Sequence, residues 1–214
     1  MSCGKVIDMN SIYCDDCQPK MPYITGERCA FCGESKADCS CKKHKHNYSS
    51  IIAPFYYEGG ARNALLKLKK YPVYAEGLAD ECAAVIEECY SDINFDLITC
   101  VPLNKRRKRL NGFNQSEILA KKIAEKTGVE YSPVLLTVFD AKSQHKLKSI
   151  FRAGNVRGIY DKIRDRSVEG KTVLLVDDIK TSGATLNECA LILRLYDAEE
   201  VFAVAGAVAR GKDM

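Results

Sequence analysis

The run Val173-Leu174-Leu175-Val176-Asp177-Asp178-Ile179-Lys180-Thr181-Ser182-Gly183-Ala184-Thr185 decides the fold. Four consecutive apolar residues read as a strand buried on both faces, the pattern of a parallel sheet covered by helices. The strand stops at two adjacent carboxylates. Such a pair is costly behind a buried strand unless it faces a polar site, and open α/β sheets bind ligands at the carboxyl ends of their strands. Asp178–Gly183 then reads as a turn and Ala184–Tyr196 as a helix. The first amides of a helix have no intrahelical partner and carry positive dipole character. Thr181, Ser182 and Thr185 add hydroxyls, and Gly183 beside the small Ala184 lets the backbone come close. The stretch Lys180–Thr185 is therefore expected to form a cup for a phosphate. Asp177 and Asp178 would take hydroxyls, so a phosphorylated sugar suits both halves. No G-x-x-x-x-G-K-[ST] is present, which excludes a Walker A loop.

Outward from this run, strand and helix signals alternate. Ile51–Tyr57 reads as a strand, Ala61–Lys70 as a helix that Pro72 stops, and Tyr74–Tyr90 as a second helix. Phe95–Val101 is a short strand followed by Pro102 and the basic run Lys105-Arg106-Arg107-Lys108-Arg109. Asn114–Lys126 reads as a helix with Asn114 as its cap, Glu117 completing a capping box, and Gly128 at its left-handed stop. Val129–Phe139 holds another strand, with Pro133 near its edge. The polar, basic stretch 141–158 reads as a long loop of the kind that carries function. Glu200–Ala209 supplies a final strand. The alternation predicts an α/β fold with a mostly parallel sheet flanked by helices.

Composition changes near residue 48. Seven of the eleven cysteines lie in the first 41 residues: Cys3, Cys14, Cys17, Cys29, Cys32, Cys39 and Cys41. Two C-x2-C pairs followed by Cys39-x-Cys41 indicate zinc, which supplies the stability that so small a segment cannot draw from a core. Cys29, Cys32, Cys39 and Cys41 form the preferred site, with Cys3, Cys14 and Cys17 as a second, three-ligand or vacant one. A single Cys14/Cys17/Cys29/Cys32 ribbon is the competing pairing, and His44 or His46 could complete a set. Cys82, Cys89, Cys100 and Cys189 sit among apolar neighbours and read as small buried hydrophobes. The expected domains are 1–48, a cysteine-rich zinc module, and 49–214, the α/β domain. A net charge of +4 is too mild to indicate nucleic-acid binding by itself. There is no apolar run long enough to span a membrane and no signal-peptide pattern, so a cytoplasmic protein is expected.

The 173–185 run resembles the 5-phosphoribosyl-1-pyrophosphate (PRPP) motif of the type I phosphoribosyltransferases, with Lys180 where many such enzymes have an apolar residue. That lysine is expected to point either to solvent or to ligand. The string Gly112-Phe113-Asn114-Gln115-Ser116-Glu117 narrows the resemblance to the ComF family, phosphoribosyltransferase-like proteins tied to DNA uptake in competent bacteria. Glu58-Gly59, Leu68-Lys69-Lys70-Tyr71, Gln144, Arg152, Asn155-Val156 and Gly158 support it in order. Asn111 and Ile159-Tyr160 depart from the usual family residues.

This resemblance implies the type I phosphoribosyltransferase fold behind a double zinc ribbon of four plus four ligands. It implies PRPP with Mg²⁺ as ligand, and Asp177 and Asp178 as the catalytic pair on the ribose hydroxyls. It also implies a pyrophosphate loop at Val101 and Pro102, joined by Lys105, Arg106, Arg107 and Arg109. Single-stranded DNA and other DNA-uptake proteins are the implied partners. Three readings stay open: a PRPP-binding protein of DNA uptake, an active transferase with an unidentified acceptor, and a sensor of PRPP without turnover.

Overall fold

The computed structural model describes residues 11–41, 46–138 and 159–211, and at 105–107 the backbone alone. Its centre is β6 (Thr172–Lys180), which pairs in parallel with β7 (Glu200–Val208) on one side and with β3 (Leu97–Cys100) on the other. The far edge of β7 carries two short parallel strands, β1 (Ile51–Ile52) and β2 (Phe55–Tyr56). The continuous strand expected over Ile51–Tyr57 is broken here, because Pro54 has no N–H to give to a ladder. The segment around Pro22 covers that edge: Ile24 N donates to Pro54 O and Tyr56 N to Pro22 O. An antiparallel pair, β4 (Leu135–Thr137) and β5 (Tyr160–Lys162), stands apart from the main sheet.

Helices cover both faces. Helices α1 (Gly59–Leu68), α2 (Ala75–Tyr90) and α4 (Gln115–Thr127) share one apolar cluster, which receives Leu174, Val176, Phe202 and Val204 from the sheet. Helix α5 (Ala184–Leu195) lies in the other cluster, with Val173, Leu175, Val201 and Ala203. Alternate residues of each strand thus enter opposite layers, as a pleated strand requires. The basic run forms a short helix, α3 (Lys105–Asn111), rather than an extended loop.

The alternation inverts at the ligand end of the sheet. The β6–β7 ladder pairs Asp177 with Ala205 and Ile179 with Ala207, with no pair at Asp178 and Gly206. Beyond that point Ile179 and Ala207 pack on the α1/α2 side, and Val208 on the α5 side. Gly206 permits this. A Cβ there would lie 2.9 Å from the Asp178 carbonyl and 3.0 Å from Leu78 Cδ2, closer than packed atoms tolerate. Strand β6 therefore runs on through Lys180, past the point where a turn was expected.

Three local expectations are corrected. Asn114 occupies the N-cap position of α4 but makes no side-chain cap; its Nδ2 donates to Val101 O at 3.0 Å. Glu117 completes no capping box and pairs with Lys108 and Lys121 instead. Cys89 is exposed, with Arg28 Nη1 3.2 Å from its sulfur, whereas Cys82, Cys100 and Cys189 are buried as expected. Gly128 does stop α4 in the left-handed conformation, at φ 74°. The stretch 141–158 lies outside the described residues, and Gln144, Arg152, Asn155-Val156 and Gly158 lie within it.

Candidate functional site

The carboxyl ends of β3 and β6 open into a cleft of about 690 Å³. Asp177, Asp178, Ile179 and Thr185 form one wall. Val101, Pro102, Leu103 and Asn104, with Asn114, Gln115 and Ser116 at the start of α4, form the opposite wall. Thr137, Ile159 and Tyr160 of the β4–β5 pair close one side, and Lys69 stands at the rim.

Asp177 is buried, yet its Oδ1 is met twice. It accepts from Ser116 Oγ at 2.9 Å and from Asp178 N at 2.9 Å. The half-buried Asp178 accepts from Ile179 N through its own Oδ1. The turn that follows ends at Gly183, which serves as the N-cap of α5 at φ 80° and therefore offers no capping side chain. Ser182 Oγ takes the N–H of Ala184. Thr181, Ser182, Ala184 and Thr185 are exposed. Among the described residues, the N–H groups of Thr185 and Leu186 have no protein acceptor, so the helix start keeps two donors for an anion.

Lys180 points neither to open solvent nor across the cleft. It is only 6% exposed, and its Cε lies 3.3 Å from where a Cβ on Gly183 would sit. It supports the turn from behind. The predicted pyrophosphate loop divides. Val101 and Pro102 line the cleft. Arg109 is exposed on α3 and lines no part of it. Lys105, Arg106 and Arg107 lie on the same helix, their side chains outside the described residues.

The thiols of Cys29, Cys32, Cys39 and Cys41 lie within 4.8 Å of one another. Separations of 3.3 Å (Cys39–Cys41), 3.5 Å (Cys32–Cys39) and 3.7 Å (Cys29–Cys41) suit a tetrahedral ion. Zinc–sulfur bonds of about 2.3 Å set sulfurs about 3.8 Å apart. The cluster can hold a metal ion. Of the second set, Cys14 and Cys17 flank a tight turn, Cys17 N donating to Cys14 O, while Cys3, Lys42 and His44 lie outside the described residues. His46 stacks on Tyr48, with ring centroids 4.7 Å apart.

The profile described as "Phosphoribosyl transferase domain" matches residues 74–212, which takes in both walls of the cleft. The chain belongs to the phosphoribosyl transferase domain family. It is 26% identical to "Competence protein ComFC" of Bacillus subtilis (strain 168) over 192 residues, covering 84% of this chain and 77% of that protein. It is 27% identical to "Competence protein ComFC" of Streptococcus pneumoniae over 206 residues, 90% of this chain and 86% of that one. It is 33% identical to "DNA utilization protein YhgH" of Salmonella typhi over 99 residues, 46% of this chain and 43% of that protein. The chain thus matches less than half the length of the last relative. The ComF resemblance carried by Gly112–Glu117 holds, as does the expected α/β class.

Sequence reasoning placed no site role on Gln115, Ser116, Tyr160 or Lys69. Gln115 is only 4% exposed and its Nε2 has no partner, so a buried donor in this phosphoribosyl transferase cleft waits for an acceptor. The signal was available: Asn114-Gln115-Ser116 opens a helix after a strand end, as Thr181–Thr185 does. Burial pushes the Tyr160 phenol up to about 12, with Cys189, Glu188 and Asp177 adding to it.

Burial also raises the Asp177 carboxyl well above the usual carboxylate range. The neighbouring charge of Asp178 adds to this, while the Ser116 hydrogen bond opposes it. A carboxyl raised in the folded state lowers stability fully above its folded pKa; the burden shrinks as pH falls below that value and is gone only below the unfolded-state value. Asp177→Asn should therefore melt about 2–4 °C above the unsubstituted protein at neutral pH. That gap should narrow as pH falls below the raised folded value and close only near the ordinary aspartate value of about 3.9. Thermal melts from neutral pH down to that value check it, and a variant that melts lower at neutral pH contradicts it.

Proposed function

We propose that the cleft binds PRPP with Mg²⁺ and that the protein serves DNA uptake, contacting single-stranded DNA. Residues 1–48 act as the zinc module and 49–214 as the phosphoribosyltransferase-like domain. The observation that carries the reading is the pairing, in one cleft, of two carboxylates with a helix start that keeps two amides free. Asp177 and Asp178 take the ribose 2′ and 3′ hydroxyls, and the turn Thr181–Thr185 takes the 5-phosphate. Val101 and Pro102 shape the wall across the cleft against which the pyrophosphate lies, without donating to it, since the Val101 N–H is given to Val176 O and proline has none. Mg²⁺, when bound, would supply Lewis-acid neutralisation of the pyrophosphate charge. The role in DNA uptake rests on relatives named for competence and DNA utilization.

A second reading, turnover, is favoured by Gln115. An unmatched buried donor in the wall opposite the acid pair suits the leaving pyrophosphate or an acceptor. In that reaction the bond from ribose C1 to pyrophosphate breaks, and pyrophosphate departs with the electron pair. A bond from C1 to the acceptor forms, and the acceptor loses a proton.

Calorimetry with PRPP and Mg²⁺ should give saturable heat. The double variant Asp177→Asn, Asp178→Asn should lose affinity by about tenfold or more, since each ribose hydroxyl then loses a charged acceptor. No heat from folded protein, or equal heat from the variant, rejects the PRPP site.

The cysteine cluster is assigned Zn²⁺ on its donor set. Cys32→Ser should cut bound zinc, measured by atomic emission on dialysed protein, by about one ion per chain, since four thiolates share one ion. A zinc content that Cys32→Ser leaves intact places the ion elsewhere.

For single-stranded DNA the candidate surface is α3. Replacing Lys105, Arg106 and Arg107 together with alanine should weaken binding of a fluorescent oligothymidylate. It should also flatten the salt dependence by about 0.7 in slope for each phosphate that is no longer neutralised. Binding that is indifferent to both salt and the substitutions removes α3 from the interface.

A further inference from the structure

The cysteine cluster and the phosphate turn are tied together by a short strap. Tyr48 Oη donates to the carbonyl of Phe31 at 3.1 Å, and Phe31 lies between the ligand pair Cys29 and Cys32. The same Oη lies 3.4 Å from the position a Cβ of Gly183 would occupy. The buried Lys180 fills the other side of that position, with its Cε at 3.3 Å. One residue earlier, Asn47 grips the first turn of α5. Its backbone N–H donates to Asn187 Oδ1 at 2.7 Å, and its Nδ2 reaches Asn187 Oδ1 at 3.1 Å and Asn187 O at 3.3 Å. Asn187 N in turn donates to Gly183 O at 2.9 Å. His46 stacks flat on Tyr48, with an interplanar angle of 8°. Tyr48, hydrogen-bonded to the cluster through Phe31, and Lys180 thus fill the space beside Gly183 where a side chain would stand, and hydrogen bonds run from Asn47 through Asn187 to the same glycine.

Gly183 is where such bracing matters. Its left-handed φ aims the following amides outward, and glycine is the residue with the widest choice of other conformations. An unbraced glycine would spread over several of them, and any ligand would have to meet the ordering cost on binding. The strap meets that cost during folding. Among the described residues, nothing comparable supports the opposite wall, where Asn114 is held by Val101 O and no residue of the cluster takes part in the lining.

The geometry points to Tyr48 and Asn187, with Asn47, as positioning residues through which the cysteine cluster sets the phosphate turn, so that the strap governs affinity for the 5-phosphate end of the ligand and not for its pyrophosphate end. The inference rests on the PRPP reading of the cleft. It gives the metal module a role in ligand binding that does not require touching the ligand.

The test compares three probes by calorimetry on the zinc-loaded full chain: PRPP with Mg²⁺, ribose 5-phosphate, and inorganic pyrophosphate with Mg²⁺. Tyr48→Phe keeps the ring and removes only the hydroxyl; Asn187→Ala removes the two side-chain bonds of the grip on α5 and leaves the one to its carbonyl. Zinc content and thermal melts show whether each variant keeps its metal and its fold. In the double variant, ribose 5-phosphate and PRPP should bind about tenfold more weakly, the worth of one to two hydrogen bonds. Pyrophosphate should bind within about twofold of the unsubstituted protein on the same scale, and zinc content should not change. Unchanged ribose 5-phosphate affinity overturns the inference while leaving the PRPP site standing. So does an equal loss for all three probes, which marks general loosening. An unsubstituted protein that binds pyrophosphate but neither sugar phosphate removes the PRPP reading, and this inference falls with it.

Discussion

An ionised carboxylate taken out of water costs several kcal/mol unless its lone pairs are met. Asp177 sits at that limit, behind four apolar strand residues and beside a second acid. Its Oδ1 is met by the Ser116 hydroxyl and the Asp178 amide, and each donor depends on a larger feature. Ser116 is delivered by α4, whose first turn is fixed because Asn114 turns away from capping and binds the Val101 carbonyl. The Asp178 amide is aimed by the inversion of β6, which needs Gly206 without a side chain. Both walls of the cleft are thus coupled to one buried charge. The raised pKa of Asp177 is the residual strain of that arrangement, and sites that bind ligands commonly carry such strain.

The cysteine segment is a structural part of the α/β body. Ile12 and Met21 belong to the cluster under α1 and α2, and Ile24 to the one under α5. Residues 22–24 cover the edge that β1 and β2 would otherwise present, and open strand edges invite pairing with other chains. Arg210 locks the arrangement from the other end. Its guanidinium lies 3.6 Å from the Tyr56 ring centroid and binds Asp38 Oδ2 at 2.9 Å, and Tyr56 Oη donates to the same carboxylate. A segment too small for its own core therefore draws on the neighbouring core as well as on its thiols.

Much of the site was legible because it is local. Acid pair, hydroxyls and glycine are consecutive, and a strand end meeting a helix start brings them together. The Cys29–Cys41 set was legible for the same reason, since its spacing brings four thiols together without help from distant chain. Asn114 misled because a capping box is a purely local expectation, and a carbonyl thirteen residues upstream competed for its amide. Gln115 went unassigned because an orphaned donor is visible only once every neighbour is placed. Cys89 looked like a core residue by its helical spacing, yet it emerges beside Arg28, sixty-one positions away.

By itself, the sequence determined the α/β alternation, the strand end and helix start around Asp177–Thr185, the thiol cluster and the resemblance to the ComF family. Each is written in residues close enough in the chain for backbone geometry to bring them together. The tertiary structure alone decided that the second wall of the cleft is the start of α4, that Lys180 lies behind the turn, and that Tyr48 stands between the cysteine cluster and Gly183. Those outcomes depend on interactions between segments far apart in the chain. Such interactions are selected by the packing of the whole core, where every side chain competes for the same space and the same few hydrogen-bond partners.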